Sequence, residues 1–434
     1  MQMNRSHNPG CGGADHFSRR TLLKAAGGLP WLTPLAAQLA AAAETDKTGA
    51  PAKSVIVLWM QGAPSQLETF DPHPGTMIGG DAKRISTRSS GVEISDLMPA
   101  TAEVMDRVAL LRGVTSKEGD HERATYNMKT GYRPDPTLIH PTIGAVMCHE
   151  LGRAGVEIPR HVSIFPDQWP AHGGFLGNKY DAFKMYDPLG DLPDLPRRVT
   201  DERFAQRRKD LDILERTFTR SRRADLEKNR TLHLATIDKA ITMMDSEQIK
   251  AFNIEEAPQS LRDDFGDTPF GRGCLCAVQL IETGVRCVEV TLSGWDSHAN
   301  NHQLQSGRIE ILDPAYAALL RLLEERDLLK STVVLCGGEF GRTPKINPAG
   351  GRDHWPHGFS VALAGGGIRG GSLLGETDPS GEKVTPDHPE SVGIADIHAT
   401  IYQSLGINFH HMYDTSIGRP MAISEGKPIT KILA

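Results

Sequence analysis

The stretch that decides the fold is an apolar run near the start of the chain, KSVIVLWM at residues 53–60. A loop with the sequence QGAPS follows directly, at residues 61–65. The run is rich in β-branched residues and does not alternate with polar ones, which is typical of a strand buried on both faces. We therefore predict a parallel strand whose carboxyl end opens into this loop.

Three further runs repeat this pattern, namely VALLRG at 108–113, VRCVEVTL at 285–292 and STVVLC at 331–336. Helical stretches separate them, such as residues 314–329, where leucines cluster on one side;. Strands that alternate with helices predict an α/β protein with a mainly parallel sheet, covered by helices on both faces.

The composition changes between about residues 195 and 255, where charged side chains dominate. The apolar residues in this segment recur at helical spacing, which predicts two amphipathic helices. Acidic residues are mixed among the many arginines, so we interpret the segment as a helical insertion packed over the sheet. A surface for an anionic partner is the alternative.

The first 43 residues have the pattern of a bacterial export signal. SRRTLLK at 18–24 precedes a mildly apolar stretch, rich in Ala and Gly, that ends in AAA at 41–43;. Its glycines and prolines would break a helix, so no permanent membrane span is expected. We predict a twin-arginine signal at 1–43 and a mature domain at 44–434, soluble in the periplasm or outside the cell.

Bulk composition narrows the function further. The chain has 434 residues and a net charge of −6, and this mild negative charge argues against a nucleic-acid-binding protein;. Five cysteines remain after the signal, and an odd, scattered set is not a disulfide framework;. Cys274 and Cys276 are close enough in sequence to bind a metal together, but their segment has the pattern of an ordinary helix.

Polar side chains follow two of the predicted strands at their carboxyl ends. Asp296 and His298 follow the strand at 285–292, and Glu339 follows the strand at 331–336. Ligands of open parallel sheets bind at this edge. Carboxylates and imidazoles together form a mixed oxygen and nitrogen set suited to Zn, Mn or Fe. We therefore predict a metal site whose ion polarises an ester oxygen or activates a water molecule.

Five stretches of the chain resemble a known family of exported bacterial proteins, the domain-of-unknown-function 1501 family, which is abundant in planctomycetes. That family is grouped with the alkaline phosphatase and sulfatase superfamily. The similar stretches run from the first strand to the last helix, and GGEFGRTP followed by GRDHWP is the most specific of them. They are VIVLWMQGAPSQLETFDPHPG, GVRCVEVTLSGWDSHANN, GGEFGRTP, GRDHWPHGFSVALAGGGIRGG and GIADIHATIYQSLGI.

The resemblance implies an alkaline-phosphatase-like, three-layer α/β/α sandwich with one divalent ion, Zn, Mn or similar. In the wider superfamily one metal is held by an Asp and a His on one loop and by a later His. Asp296, His298 and His354 match these positions here. Glu339 and Asp353 are implied as further ligands, or as partners that orient the histidines.

The second metal of the superfamily is expected to be missing or altered. It normally uses an Asp after the first strand, where this chain has Gln61, and an Asp-His pair that corresponds here to Glu339 and Phe340. A phenylalanine cannot bind a metal ion. A second site would therefore require Glu68, Asp71 or another group as a substitute.

The nucleophile of the sulfatases also has no direct match. Their Cys-x-Pro-x-Arg motif is followed by Thr-Gly, and alignment on Thr130 and Gly131 places His121 at the nucleophile position. Neither the Pro nor the Arg of the motif is present, which argues against formylglycine chemistry. His121 is therefore the candidate catalytic residue, acting as a general base, a nucleophile or a metal ligand. A purely structural role at a helix start beside Asp120 is the alternative.

Further residues are candidates for binding the substrate. Arg342 and Lys345 are placed to bind phosphate or sulfate oxygens, and the guanidinium fork suits them better. Ser65 either bonds an anionic ligand or caps a helix. His357, from the same loop as the later ligands, is assigned to the substrate, whereas His398 at the start of the last helix is expected to be structural.

Two functions of different classes follow. The first is an exported, metal-dependent hydrolase of phosphate or sulfate esters on a carbohydrate or another small metabolite. The twin-arginine export machinery, its expected partner, carries folded proteins, often with a cofactor already bound. The second is an exported binding protein that keeps the fold without turnover, which the missing nucleophile motif and Phe340 favour.

Overall fold

A mainly parallel sheet organises the protein, shown by a computed structural model that describes residues 52–152, 155–190, 192, 195, 199–220, 232–382, 384, 390–415 and 417–434. Residues 51–434 form one compact unit. The predicted twin-arginine signal at 1–43 lies outside the described residues.

Strands and helices alternate along much of the chain. The strands are β1 Ser54–Gln61, β2 Arg84–Ser86, β3 Glu93–Ser95, β4 Val108–Thr115, β5 His161–Ile164, β6 Phe183–Met185, β7 Cys287–Ser293, β8 Thr332–Gly337, β9 Gly341–Arg342, β10 His354–Trp355, β11 Phe359–Ala364, β12 Ser372–Leu374, β13 Val392–Gly393, β14 Met412–Asp414 and β15 Pro420–Ala422. The α-helices are α1 Pro99–Ala102, α2 His121–Thr130, α3 Ile143–Glu150, α4 Asp201–Arg220, α5 Leu232–Asp245, α6 Gln259–Asp264, α7 Pro269–Thr283, α8 Asn301–Glu325 and α9 Ile394–Ser404.

The first predicted strand lies near the middle of the large sheet. The sheet order is β12-β4-β11-β8-β1-β7-β5-β6, with β13 also paired to β4. β1 runs parallel to β7 and β8 on its two sides, so that Val55 lies opposite both Cys287 and Val333. In the described part of this sheet only β11 is antiparallel to its neighbours, β8 and β4. The predicted mainly parallel α/β fold is confirmed, and the antiparallel β11 was not expected from the sequence.

Helices cover both faces of this sheet. Alternate residues of β1 enter two separate cores, because successive side chains of a strand point to opposite faces. Ile56 and Leu58 belong to the core under α7 and α8, whereas Val57 and Trp59 belong to the core under α2, α3 and α9. The three-layer α/β/α architecture follows from this division.

The helix predicted at 314–329 is α8. It begins earlier and ends sooner than expected, at Asn301–Glu325, so Pro314 lies inside it. An internal proline costs about 3 kcal/mol because it removes a hydrogen bond and crowds the preceding turn. The helix nevertheless continues through Pro314 because both sides of it pack into the core. Leu312 and Leu319 are fully buried, and the Asp313 carboxylate accepts hydrogen bonds from the first amides of α1.

Two helices, α4 and α5, lie within the charged stretch at about 195–255, and Arg208 of α4 pairs with Asp238 of α5 at 3.7 Å. Cys274 and Cys276 are buried in α7, and burial raises the pKa of both thiols, so they are poor metal ligands;. Within the described residues no helix is both long and apolar enough to cross a membrane.

Candidate metal centre

Five of the predicted site residues meet at the carboxyl edge of the central strands. Asp296 and His298 lie in the loop after β7, and Glu339 lies in the loop after β8. His354 is in β10, which pairs with β9 just beyond Glu339. His121 reaches the same place as the first residue of α2. The fold therefore brings together residues that are more than 200 positions apart in sequence, such as His121 and Glu339.

The nitrogen Nε2 atoms of three histidines surround the Asp296 carboxylate. The distances from Asp296 are 3.5 Å to His121, 3.1 Å to His298 and 3.6 Å to His354. The Nε2 atoms of His298 and His354 lie 3.1 Å from one another. Ligand atoms of His121, Asp296 and His354 all lie within 4.8 Å of each other, close enough to share one ion.

The other ring nitrogen, Nδ1, of each histidine is held by an acceptor. His121 Nδ1 donates to Glu339 Oε1 at 2.7 Å, and His298 Nδ1 donates to Asp353 Oδ1 at 2.7 Å. His354 Nδ1 donates to the backbone carbonyl of Gly119 at 2.8 Å. Because carboxylates and carbonyls accept hydrogen bonds, Nδ1 carries the hydrogen in each neutral ring. The three Nε2 atoms therefore present lone pairs, as metal-binding imidazoles do.

These residues fit a divalent cation. The lone pairs of His298 and His354 repel each other at 3.1 Å unless a positive charge lies between them, and two ligands on tetrahedral zinc are about 3.3 Å apart;. In the described part of the chain, Arg342 is the one Lys or Arg that forms an ion pair with Asp296, Glu339 or Asp353. The set therefore carries two negative charges when its histidines are neutral, which a divalent ion balances.

The pKa shifts in the cluster also show that its carboxylates favour a positive charge beside them. Burial lowers the pKa of His121, but hydrogen bonds and charge from Asp296 and Glu339 outweigh burial and raise it to about 9. Burial would raise the pKa of Asp296, yet His121, His354 and Arg342 hold it well below the usual range.

A family model matches almost the whole described chain. The family is described as a protein of unknown function, DUF1501, and the match covers residues 52–433. The chain belongs to this family. The sequence motifs around Asp296, Glu339 and His354 had indicated this same family. No protein of curated function matches the sequence.

Several solved structures resemble this DUF1501 chain distantly. A sulfatase, PsFucS1 from Pseudoalteromonas sp., has 12% identity and a TM-score of 0.40, over 88% of this chain and 72% of its own. An alkaline phosphatase from the Antarctic bacterium TAB5 has 15% identity and a TM-score of 0.37, over 82% and 99%. The C-terminal periplasmic domain of EcEptC from Escherichia coli, in complex with Zn, has 8% identity and a TM-score of 0.38, over 83% and 84%. The fold assignment rests on the strand order itself.

Arg342 does not face a ligand, contrary to the prediction that it binds the substrate anion. Its side chain is fully buried and donates to Asp296 at 2.6 Å and to three backbone carbonyls, those of Gly62, Ala63 and Arg352. Burial lowers its pKa, and the nearby carboxylates oppose this. Arg342 therefore positions Asp296 and links it to the loop after β1 and to the segment at Arg352.

Ser65 and His357 are also placed differently from the prediction. Ser65 is fully buried, its hydroxyl donates to Glu68 and its amide donates to Gln305, so it can neither bind a ligand nor cap a helix. His357 is exposed, and its ring stands edge-on to Trp355. Among the described residues no hydrogen bond or ion pair joins His357 to the histidine cluster.

The groups expected at a second metal site are committed elsewhere. Glu68 forms a buried ion pair with Arg352 at 3.0 Å, and Asp71 accepts a hydrogen bond from Thr377 at 2.6 Å. Gln61 accepts a hydrogen bond from the Trp59 indole. Phe340 instead packs against both ligand rings, with its ring centroid 5.0 Å from that of His121 and 4.6 Å from that of His354.

Backbone groups that the sequence did not single out complete the site. The Gly62 amide donates to Glu339 Oε1 at 2.9 Å, and Gly62 has a left-handed φ of 103°. A Cβ atom at this position would lie 2.7 Å from the Asp296 amide, so a larger residue would push the ligand loop away;. The Gly119 carbonyl, which orients His354, belongs to the loop before α2.

Proposed function

We propose that this protein is an exported, metal-dependent hydrolase of phosphate or sulfate esters. The observation that carries the proposal is the convergence of three oriented imidazoles on one carboxylate. Buried ion-pair networks do not require two histidine lone pairs to face each other at 3.1 Å. A positive charge between the two nitrogens, such as a bound metal ion, would relieve this contact.

His121, Asp296, His298 and His354 hold the ion in this proposal, which makes His121 a ligand rather than the nucleophile. Glu339 and Asp353 then orient His121 and His298;. When bound, a divalent ion such as Zn or Mn polarises the ester and neutralises its developing charge.

One side of the ligand set is open for a substrate. The side chains of Asp296 and His298 are 45% and 48% exposed, whereas Glu339 is fully buried behind His121. Phe340 also closes the buried side through its contacts with two ligand rings. Catalytic sites keep a coordination position free, which structural sites do not. The half-exposed edge at His298 is where an ester and water reach the ion.

Water is the nucleophile in this proposal. Ser293 and Ser297 are the hydroxyl residues closest in sequence to the Asp296 ligand. Ser293 donates to Asp167 at 2.9 Å, and Ser297 is fully buried and donates to Asn301 at 2.6 Å. Both hydroxyls are committed to other side chains, which supports water as the attacking group.

The anionic ester is bound by Arg308 in this proposal, because Arg342 is buried. Arg308 extends from α8 over Gly294, with Nη1 3.5 Å from the position of a Cβ there. Its hydrogen bond to the Ser293 carbonyl is long, at 3.4 Å, and no carboxylate among the described residues pairs with it. A partly buried guanidinium without a paired carboxylate, lying over Gly294 in the loop that carries Asp296, suits ester oxygens;.

Export is the second part of the proposal. The SRRTLLK segment at 18–24 and the Ala-rich stretch up to residue 43 support a twin-arginine signal and a mature domain at 44–434;. The protein would then act in the periplasm or outside the cell on a small-molecule or carbohydrate ester. Exchange of Arg19 and Arg20 for lysine should leave the precursor in the cytoplasm, as measured by cell fractionation.

Metal analysis and ester hydrolysis test the proposed chemistry. We expect about one equivalent of a divalent metal in the purified mature protein, and hydrolysis of 4-nitrophenyl phosphate or sulfate after addition of Zn or Mn. His354→Ala should lose the metal, and His357→Ala, three residues further on, should retain it. A metal-free wild type that hydrolyses neither ester would favour the non-catalytic binding protein instead.

A further inference from the structure

Trp169 is a large aromatic side chain at the rim of the metal centre rather than in the core. It lies in the loop after β5 and is partly exposed. Its ring is nearly parallel to that of the ligand His121, with an interplanar angle of 16° and centroids 6.5 Å apart. It belongs to neither of the two large apolar cores of the described residues, nor to the side chains packed against them. Core packing therefore does not account for this tryptophan.

The backbone at Trp169 is anchored to the central sheet. Its carbonyl accepts a hydrogen bond from Lys129 Nζ at 2.9 Å. Lys129 is buried and pairs with Glu289 of β7 at 2.9 Å, and Ser163 of β5 donates to the same carboxylate oxygen at 3.1 Å. A buried, fully paired ammonium holds its acceptor firmly, since moving away would leave a buried charge. The loop that carries Trp169 is thus fixed beside the ion-binding residues.

The indole N–H of Trp169 is available to a ligand. Among the described residues no acceptor takes a hydrogen bond from it, and it is not one of the buried unpaired atoms. The contrast with the other tryptophans is clear, because Trp59 donates to Gln61 and the Trp295 and Trp355 indole nitrogens are buried. Trp169 alone of these combines a partly exposed ring with a free donor.

We propose that Trp169 is the stacking platform for a sugar ring whose phosphate or sulfate ester lies on the ion. The inference rests on the proposed function and names its substrate class. A pyranose has an apolar face of C–H groups that packs on an aromatic ring, and hydroxyls at its edge that accept from an indole N–H. The fixed distance from Trp169 to His121 places the ring beside the ester and not on the ion.

Kinetics with matched esters test this platform. Trp169→Ala should lower kcat/KM about tenfold for glucose 6-phosphate or glucose 6-sulfate, whichever ester class the wild type hydrolyses. The ringless esters glycerol 3-phosphate or ethyl sulfate should change less than twofold. Trp169→Phe should retain most of the activity on the glucose ester, and Tyr186→Ala, an exposed aromatic after β6, should change neither. An equal loss on ringed and ringless esters would overturn the proposal.

A binding measurement separates this inference from the hydrolase proposal. Saturation-transfer NMR with methyl glycosides of glucose, galactose and N-acetylglucosamine needs neither metal nor turnover. We expect transfer to the C–H protons of at least one glycoside in the wild type, and none in Trp169→Ala with an unchanged melting temperature. No transfer in the wild type, or equal transfer in both proteins, would refute the platform even if esters are hydrolysed. Transfer without any hydrolysis would retain the platform and reject the enzyme.

Discussion

His298 and His354 present their Nε2 atoms to each other at 3.1 Å, and each ring has its Nδ1 committed as a donor, to Asp353 and to the Gly119 carbonyl respectively. Neither ring can turn to relieve the contact without losing its hydrogen bond. The contact is stable only if a proton or a metal ion lies between the nitrogens. The hydrogen-bond network behind the ligands therefore holds these nitrogens in an arrangement that would suit a bound cation.

Glu339→Gln should weaken metal binding by about 10- to 100-fold, because the amide lacks the charge that strengthens the His121 ligand;. Competition with a chromophoric chelator measures the dissociation constant. Glu310→Gln, an exposed position on α8, serves as the control and should bind metal as the wild type does. Equal affinities in the two variants would exclude Glu339 from the support of the site.

Arg342→Met should lower the free energy of unfolding by about 3 to 5 kcal/mol, because three buried carbonyls and Asp296 lose their donor together;. Urea denaturation measures the change. A ligand-binding arginine would instead show a normal stability and a raised KM. A loss below 1 kcal/mol would contradict the structural role of Arg342.

Arg308→Gln should raise KM about tenfold for the ester that the wild type hydrolyses, since a charge-assisted hydrogen bond to the anion is lost;. Stability should be unchanged, because Arg308 makes one long hydrogen bond to the Ser293 carbonyl. Arg321→Gln, an exposed position on the same helix, is the matched control. Identical KM values for the two variants would remove Arg308 from the anion site.

Acid should destabilise the protein partly through His398. Burial lowers its pKa to about 4, although its Nε2 donates to the Met128 carbonyl at 2.8 Å, and the unfolded value is about 6.5;. Below pH 6.5 His398 binds a proton in the unfolded chain but stays neutral in the folded protein. The free energy of unfolding therefore falls between pH 6.5 and 4. Linkage gives a loss of about 2.5 kcal/mol by pH 4.5.

The variant His398→Gln has no titrating group at this position, and its amide can still donate to the Met128 carbonyl. Urea denaturation at pH 7.5 and pH 4.5 should therefore show a loss that is about 2.5 kcal/mol smaller than that of the wild type. The same loss in both proteins would show that His398 does not contribute to acid sensitivity.

The sequence was sufficient to predict the sheet and the ends of its central strands. β1, β7 and β8 carry continuous apolar runs, and the polar residues after them had to meet because parallel strands share one carboxyl edge;. β11 was not predicted as a strand, because its run, FSVALA, is followed by consecutive glycines that are typical of a loop. Its antiparallel direction depends on β4 and β8, which are distant in sequence.

The roles of individual side chains were harder to predict. Arg342 follows Glu339 by only three residues, and sequence alone cannot show that its guanidinium turns inward to backbone carbonyls. Ser65 was ambiguous for the same reason, since burial is a property of the folded chain. Trp169 lies after a strand of four residues, too short to be identified by its apolar pattern, so the loop that carries it gave no reason to single it out.

The ligand set extends from His121 to His354, and its members come from the first turn of α2, the loop after β7 and strand β10. A metal ion held there would act as a cross-link between segments that are independent in the unfolded chain. Unfolded protein cannot offer all the ligands at once, so release of the ion and unfolding are coupled equilibria, and saturating metal raises the free energy of unfolding. If the proposed export of a folded, twin-arginine cargo operates, metal supply before export would set how much of this protein leaves the cytoplasm.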